Sequence, residues 1–104
     1  MTQRVVDHPE KSRYELVVDE ELAGIVTYAL DGEQLSLLHT EVFEGFLHRG
    51  LAAAMVEDVL SDARARGLGV LPFCPFVLAF INEHLDDDLD LVPKAQRGRF
   101  GLPT

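Results

Sequence analysis

The sequence predicts an α+β domain with a mixed sheet, in which an antiparallel meander is followed by a helix, a strand and a second helix. Before residue 43 the chain carries runs of β-forming residues separated by turn signals, and after it apolar residues recur at helical spacing. A chain of 104 residues with 47% hydrophobic residues has room for one hydrophobic core and not for two domains.

The strands come first along the chain. Residues 13–18 and 22–30 flank an acidic turn and predict an antiparallel hairpin, and a short strand near residues 3–6 is expected at its edge. Asp31-Gly32 is a strong turn signal, and residues 34–42 follow as the third strand of the meander. Residues 22–30 are apolar on both alternating faces, which predicts a central strand that is covered on both sides.

The helices follow the meander. Apolar residues at three- and four-residue spacing between residues 51 and 63 predict a helix that begins near Gly50 and ends at Gly67. Residues 70–73 predict a short strand, Pro75 opens a second helix that runs to His84, and residues 86–92 could add a helical turn. We expect one domain over residues 1–92 and a loose tail over residues 93–104, because the tail has little periodicity.

Charge and composition limit the expected partners and location. Nine Lys and Arg against 18 Asp and Glu give a net charge of -9, which repels phosphate backbones and anionic lipids, so we expect no nucleic-acid or membrane partner. The chain opens without an apolar signal segment, and its apolar stretch at residues 70–81 is shorter than the roughly 20 residues that span a bilayer. Cys74 is the only cysteine. These features predict a cytoplasmic protein without an internal disulfide.

The first segment that could carry chemistry is the turn before the long helix, which contains His48, Arg49 and Gly50. Free N–H groups at a helix start carry about half a positive charge and suit a phosphate, and glycine permits close backbone approach. The alternative is a plain connection with an incidental Arg. The four histidines and Cys74 show no metal-ligand spacing, so we expect no metal site.

Cys74, His39 and Glu41 are candidate catalytic residues. Cys74 precedes Pro75 and is expected at a helix N-cap, where the dipole stabilises a thiolate; the alternative is an inert buried thiol between Phe73 and Phe76. Pro72 cannot donate to a sheet ladder, so a gap beside Cys74 could admit a ligand. His39 and Glu41 are two residues apart in a strand and share a face, where they could accept a proton or form a surface pair.

Together these segments resemble the very short members of the GNAT superfamily of N-acetyltransferases. The resemblance covers about residues 10–92 and rests on HTEV at 39–42, HRGLA at 48–52 and LPFCPFV at 71–77. It implies a sheet in which two neighbouring parallel strands splay apart, with acetyl-CoA as the cosubstrate in the cleft between them. The larger relatives have N-terminal helices that shape the acceptor pocket, so we expect an open acceptor side here.

The resemblance also implies roles for individual residues. It assigns Cys74 a place near the acetyl group, as the residue proposed in this subfamily to carry it before an amine takes it, and we expect His39 with Glu41 to assist proton transfer. The expected cofactor-binding residues are Val42 beside the pantetheine arm, the pyrophosphate turn of His48, Arg49, Gly50, Leu51, Ala52 and Ala53, and Pro75, Phe76 and Phe80 of the following helix.

The function expected from this resemblance is acetyl-CoA-dependent transfer to an unidentified amine, either free or on a macromolecule. One alternative is a non-catalytic module that binds CoA or acetyl-CoA. It is supported by Leu47, which replaces a polar residue of the usual pyrophosphate motif, and by the lack of a tyrosine in the last helix. A further alternative is an interaction domain without a small ligand.

Overall fold

Five strands form one mixed sheet in the computed structural model, which describes residues 2–47 and 50–104. The strands lie in the sheet in chain order and are β1 (Gln3–His8), β2 (Arg13–Val18), β3 (Glu21–Asp31), β4 (Gln34–Val42) and β5 (Gly69–Pro72). The first four strands pair antiparallel, and β5 pairs parallel with β4. The predicted α+β class and its meander are confirmed.

The helices follow the antiparallel meander in sequence, as predicted. They are α1 (Leu51–Ala65) between β4 and β5, α2 (Pro75–Glu83) after β5, and the short α3 (Leu85–Asp88). Gly67 has a φ of +70° and ends the first of these in the left-handed conformation that glycine tolerates. No helix within the described ranges is long and apolar enough to cross a membrane.

The hydrophobic core lies between one face of the sheet and the two longer helices. Along β2, buried Tyr14, Leu16 and Val18 alternate with partly exposed neighbours, as expected for a strand with one face on the core. The helices contribute Met55 and Val59 from α1 and Val77 and Ile81 from α2. The two-sided cover expected for residues 22–30 is therefore only partly observed: Ile25 is buried, but Leu22 and Leu30 are 38% and 49% exposed.

The parallel pairing of β4 with β5 is short. It begins at Gln34 opposite Gly69 and stops at Leu37 opposite Pro72, while β4 continues to Val42. Just beyond this point Leu38 forms a bulge, since Thr27 and Tyr28 of β3 pair with His39 and Leu37. Residues 38–42 therefore have no parallel neighbour in the described sheet, and the strands open as the family resemblance predicted.

A polar cluster ties the end of α1 to the first strands. Tyr14 donates a hydrogen bond of 2.7 Å to Asp62, and Tyr28 donates one of 2.6 Å to Asp7. Arg66 donates to both carboxylates at 3.1 Å and to the Tyr14 hydroxyl at 3.2 Å. Burial, followed by the hydrogen bond to Asp7, raises the pKa of Tyr28 to about 12.

The C-terminal segment corrects one expectation. Residues 93–104 were expected to be loose, but residues 94–100 form a 3₁₀ helix and Leu102 is 5% exposed within the core. Arg97 Nε donates to the Val92 carbonyl at 2.9 Å, and the Phe100 ring meets Phe73 edge-on at 5.2 Å. The apolar contacts of this segment with the core come from Phe100 and Leu102. Two such residues produce no helical periodicity, so sequence analysis could not detect the segment.

We expect alkaline pH to destabilise the fold through Tyr28. The pKa of Tyr28 is about 10 in the unfolded chain and about 12 in the folded one. The stability that its protonated hydroxyl contributes is therefore fully present below about pH 10 and is lost as the pH rises toward 12. Urea unfolding measures the free energy of unfolding at pH 9 and at pH 11. Between these pH values Tyr28→Phe should lose less stability than the wild type, and the difference should be on the order of the free energy of one pKa unit. Equal losses would show that Tyr28 does not contribute.

We expect Leu102→Ala to destabilise the protein by about 2–5 kcal/mol, as buried leucine truncations do. Leu30→Ala is the matched control, because Leu30 is 49% exposed whereas Leu102 is 5% exposed. Chemical unfolding of the full chain measures both free energies. If Leu102→Ala costs no more than Leu30→Ala, the C-terminal segment is not part of the core.

Candidate functional site

The N-terminus of α1 presents backbone N–H groups of the kind that can bind an anion. Gly50 is its N-cap with a φ of +66°, a conformation that permits the chain to turn sharply out of the preceding loop. The N–H groups of Leu51, Ala52 and Ala53 have no acceptor within the helix, and the first turn contains no acidic residue. The predicted residues His48 and Arg49 lie outside the described residues.

A cavity of about 260 Å³ adjoins this helix start. Its walls come from the end of β4, the turn after it, and the first turns of α1 and α2. They bring together the predicted residues Val42, Gly50, Leu51, Ala52, Ala53 and Phe76, with Phe46 and Leu47 in addition. Sequence analysis missed Phe46 and Leu47 as lining residues because an irregular turn has no periodicity, and only their place beside Gly50 could have indicated them.

The other two predicted cofactor residues lie next to this cavity. Pro75 is exposed in the first turn of α2. Phe80 lines a neighbouring cavity of about 290 Å³ between α1 and α2, which shares Ala53 and Phe76 with the first. The two cavities are therefore neighbours on the same side of α1.

Cys74 occupies the N-cap of α2, with Pro75 as the first helical residue. The residue is 4% exposed and belongs to the core cluster. Its backbone N–H donates to the Leu37 carbonyl at 2.8 Å, and its thiol donates to the Thr40 hydroxyl at 3.3 Å. The cysteine thus lies where β4 and β5 separate, and both features that the sequence left open, the N-cap position and the burial, are present together.

His39 and Glu41 lie on the other face of β4. The His39 Nε2 atom is 3.4 Å from Glu41 Oε1, and the two side chains are 60% and 50% exposed. Thr40 stands between them and contacts the Cys74 thiol, and neighbouring side chains of a strand point to opposite faces. The structure therefore brings His39 to Glu41 but does not bring either residue to Cys74.

A larger cavity of about 480 Å³ lies further along α1, but its chemistry is unsuited to a phosphate. Glu57, Asp87 and Asp88 line it, and the one cation on its wall, Arg64, is bound to Asp90 at 2.7 Å and 3.0 Å. Carboxylates repel an anion, and the paired guanidinium does not compensate them. We therefore take the smaller cavity at the N-terminus of α1 as the candidate site.

Known proteins resemble this chain in sequence and in fold. Residues 13–90 match the family described as GCN5-related N-acetyl-transferase. The fold is similar to the solution structure of a GCN5-like protein from Staphylococcus aureus, with 20% identity, a TM-score of 0.62 and coverage of 86% of this chain and 87% of the other. No curated protein matches the sequence.

A second solved structure, Ard1 from Thermoplasma volcanium, is similar at 20% identity and a TM-score of 0.48, with coverage of 57% of this chain. The match spans only 40% of the length of that protein. The family assignment rests instead on the match over residues 13–90, which includes the whole of β2 to α3 and the candidate site. The chain belongs to the GCN5-related N-acetyltransferase family.

Proposed function

We propose that this domain transfers the acetyl group of acetyl-CoA to an amine. The observation that carries the proposal is the position of Cys74 where β4 and β5 separate, two residues from Phe76, which lines the cavity at the N-terminus of α1. In this proposal the N–H groups of α1 would hold the pyrophosphate, the apolar cavity would hold the pantetheine arm, and the thioester would lie toward Cys74.

The residues at the site fit the cofactor chemically. The N–H groups of residues 51–53, which have no acceptor within the helix, suit the pyrophosphate, and the positive end of the α1 dipole adds to their attraction. The described lining of the cavity is uncharged and mostly apolar, which suits the pantetheine arm. Arg49 and His48 would add positive charge at the same turn, and Phe80 would extend the contact along α2.

We propose that Cys74 carries the acetyl group between the two substrates. Its thiolate would attack the thioester carbonyl, a bond from Cys74 sulfur to the acetyl carbon would form, and CoA would leave as a thiolate that takes up a proton. An amine would then attack the acetyl-cysteine, lose its proton and release the Cys74 thiolate. Exchange of one thioester for another is nearly balanced in energy, so the first step needs no further reactant.

His39 and Glu41 are proposed to serve the second step. Their face of β4 is opposite to the helices that form the cofactor cavity, so an amine would reach the strand opening from the exposed side. The His39 ring, beside the Glu41 carboxylate at 3.4 Å, would accept the proton of the attacking amine. The net charge of -9 favours a cationic acceptor, which could belong to a macromolecule in the cytoplasm.

A non-catalytic acetyl-CoA-binding module is the second candidate. The burial of Cys74 favours it, because a thiol that is 4% exposed and surrounded by core residues resembles an inert packing residue. The two candidates share the cofactor site and differ in whether Cys74 reacts. The two experiments below therefore test binding and chemistry separately.

We expect Gly50→Val to weaken acetyl-CoA binding at least tenfold, because a branched side chain at a φ of +66° distorts the turn that presents the helix N–H groups. Gly67→Val is the matched control, because Gly67 has a φ of +70° and lies at the opposite end of α1. At both positions no described residue lies within 4 Å of an added Cβ. Isothermal titration calorimetry measures both affinities. Equal losses for the two variants would mean that strain, and not the site, explains the effect.

We expect acetyl-CoA to add one acetyl group to the Cys74 peptide of the wild type and none to that of Cys74→Ser. Mass spectrometry of the full chain after brief incubation detects the adduct, and release of free CoA should accompany it in equal amount. A wild type that stays unmodified while Cys74→Ser keeps full transferase activity would exclude the relay. A wild type that binds acetyl-CoA but neither reacts nor transfers would support the binding module.

A further inference from the structure

We infer that Thr40 is a positioning residue for Cys74: its hydroxyl orients the thiol at the strand opening and donates a hydrogen bond to the thiolate after the proton has left. This inference rests on the proposed role of Cys74 in acetyl transfer. The experiment below separates the two, since it measures the thiol itself in the absence of acetyl-CoA.

The two residues are held together on both sides of the Leu38 bulge. Before the bulge, the Leu37 carbonyl accepts the backbone N–H of Cys74 at 2.8 Å. Beyond the bulge, the Thr40 hydroxyl lies 3.3 Å from Cys74 Sγ. The extra residue at the bulge turns Thr40 toward the helices, since Leu37 before it also faces the core. Cys74 is therefore fixed to β4 by its backbone and by its side chain.

Thr40 provides the single hydrogen bond to the Cys74 sulfur among the described residues. The helix start does not, because the N-cap of α2 has no side-chain capping bond. A hydroxyl can accept from a neutral thiol and, after rotating, donate to a thiolate, so one side chain can serve both states of the sulfur. A hydrogen bond to a charged group contributes more than one between neutral groups.

Charged and titratable groups on the elements around the thiol have other partners, including Arg99 of the C-terminal segment, whose guanidinium lies 5.1 Å from the centroid of the Phe73 ring. On β4, His39 and Glu41 pair with each other on the opposite face. On β3, Tyr28 pairs with Leu37 but donates its hydroxyl proton to Asp7. The β5 strand, Gly69–Pro72, has no titratable side chain, and the buried residues of α1 and α2 are all apolar. The hydroxyl of Thr40 is thus the polar side-chain group that meets the sulfur among the described residues.

The test measures alkylation of Cys74 by iodoacetamide as a function of pH, in the full chain without acetyl-CoA. Cys74 is the only cysteine, so all labelling reports on it. The midpoint of the pH profile is the readout, because altered access to a buried thiol changes the plateau rate and not the midpoint. Thr40→Val keeps the shape of the side chain and removes the hydroxyl, and Thr40→Ser restores it.

We expect Thr40→Val to shift the midpoint upward by about one pH unit, with about tenfold less thiolate at neutral pH, and Thr40→Ser to keep the wild-type midpoint. Thr40→Ala gives the same comparison if the valine variant does not fold by circular dichroism. The inference is wrong if a folded variant without the hydroxyl keeps the wild-type midpoint. It is also wrong if Thr40→Ser, which keeps the hydroxyl, shows the same shift as Thr40→Val.

Acetylation of Cys74 is then measured in the same variants. We expect its rate at neutral pH to fall about tenfold in Thr40→Val and to be restored in Thr40→Ser. A wild type that is never acetylated refutes the relay even if the midpoint shifts. A wild type that is acetylated at the same rate as folded Thr40→Val refutes the role of Thr40 and leaves the relay intact.

Discussion

The limit of the parallel pairing between β4 and β5 determines how the candidate site is arranged. Pairing ends at Leu37 and Pro72, since a proline has no N–H to extend a ladder and the chain then turns into α2. The N–H of Cys74 donates to the Leu37 carbonyl, so this residue, two positions after Pro72, brings its thiol to the opening. If β5 continued beside residues 38–42, the sheet would close over the space that the proposed function assigns to the thioester.

Local patterns were sufficient to predict most of the fold. The bounds of β2 and β4 agree with the sequence analysis because turn signals flank both strands, and the bounds of α1 follow from its apolar spacing. The bulge at Leu38 could not be predicted, since it depends on the register between two strands. The contact between Thr40 and Cys74, 34 residues apart, depends on this register and was therefore missed. The periodicity that placed His39 beside Glu41 could not indicate on which face of the sheet Cys74 would lie.

Two opposing physical effects act on Cys74. Burial among core residues keeps water and polar substrates from the sulfur, which opposes its reaction. The N-terminal end of α2 and the Thr40 hydroxyl provide polar groups beside the sulfur, which favours its reaction. The chemistry of Cys74 thus depends on a few groups within its own neighbourhood.

The two faces of the opened sheet suit two different ligands. On the helix side, the cavity at the N-terminus of α1 has an uncharged, mostly apolar described lining, whereas Glu57 and Glu83 line the neighbouring cavity between α1 and α2. The first cavity is therefore the part of this face that suits the proposed cofactor. On the other side, the side chains of His39 and Glu41 are at least half exposed. This pair can accept a proton, but it does not enclose a substrate. An acceptor on that side would be recognised by contacts outside the reacting atoms, because an open surface cannot exclude amines by size. Selectivity in such a domain would therefore come from docking of the molecule that carries the amine.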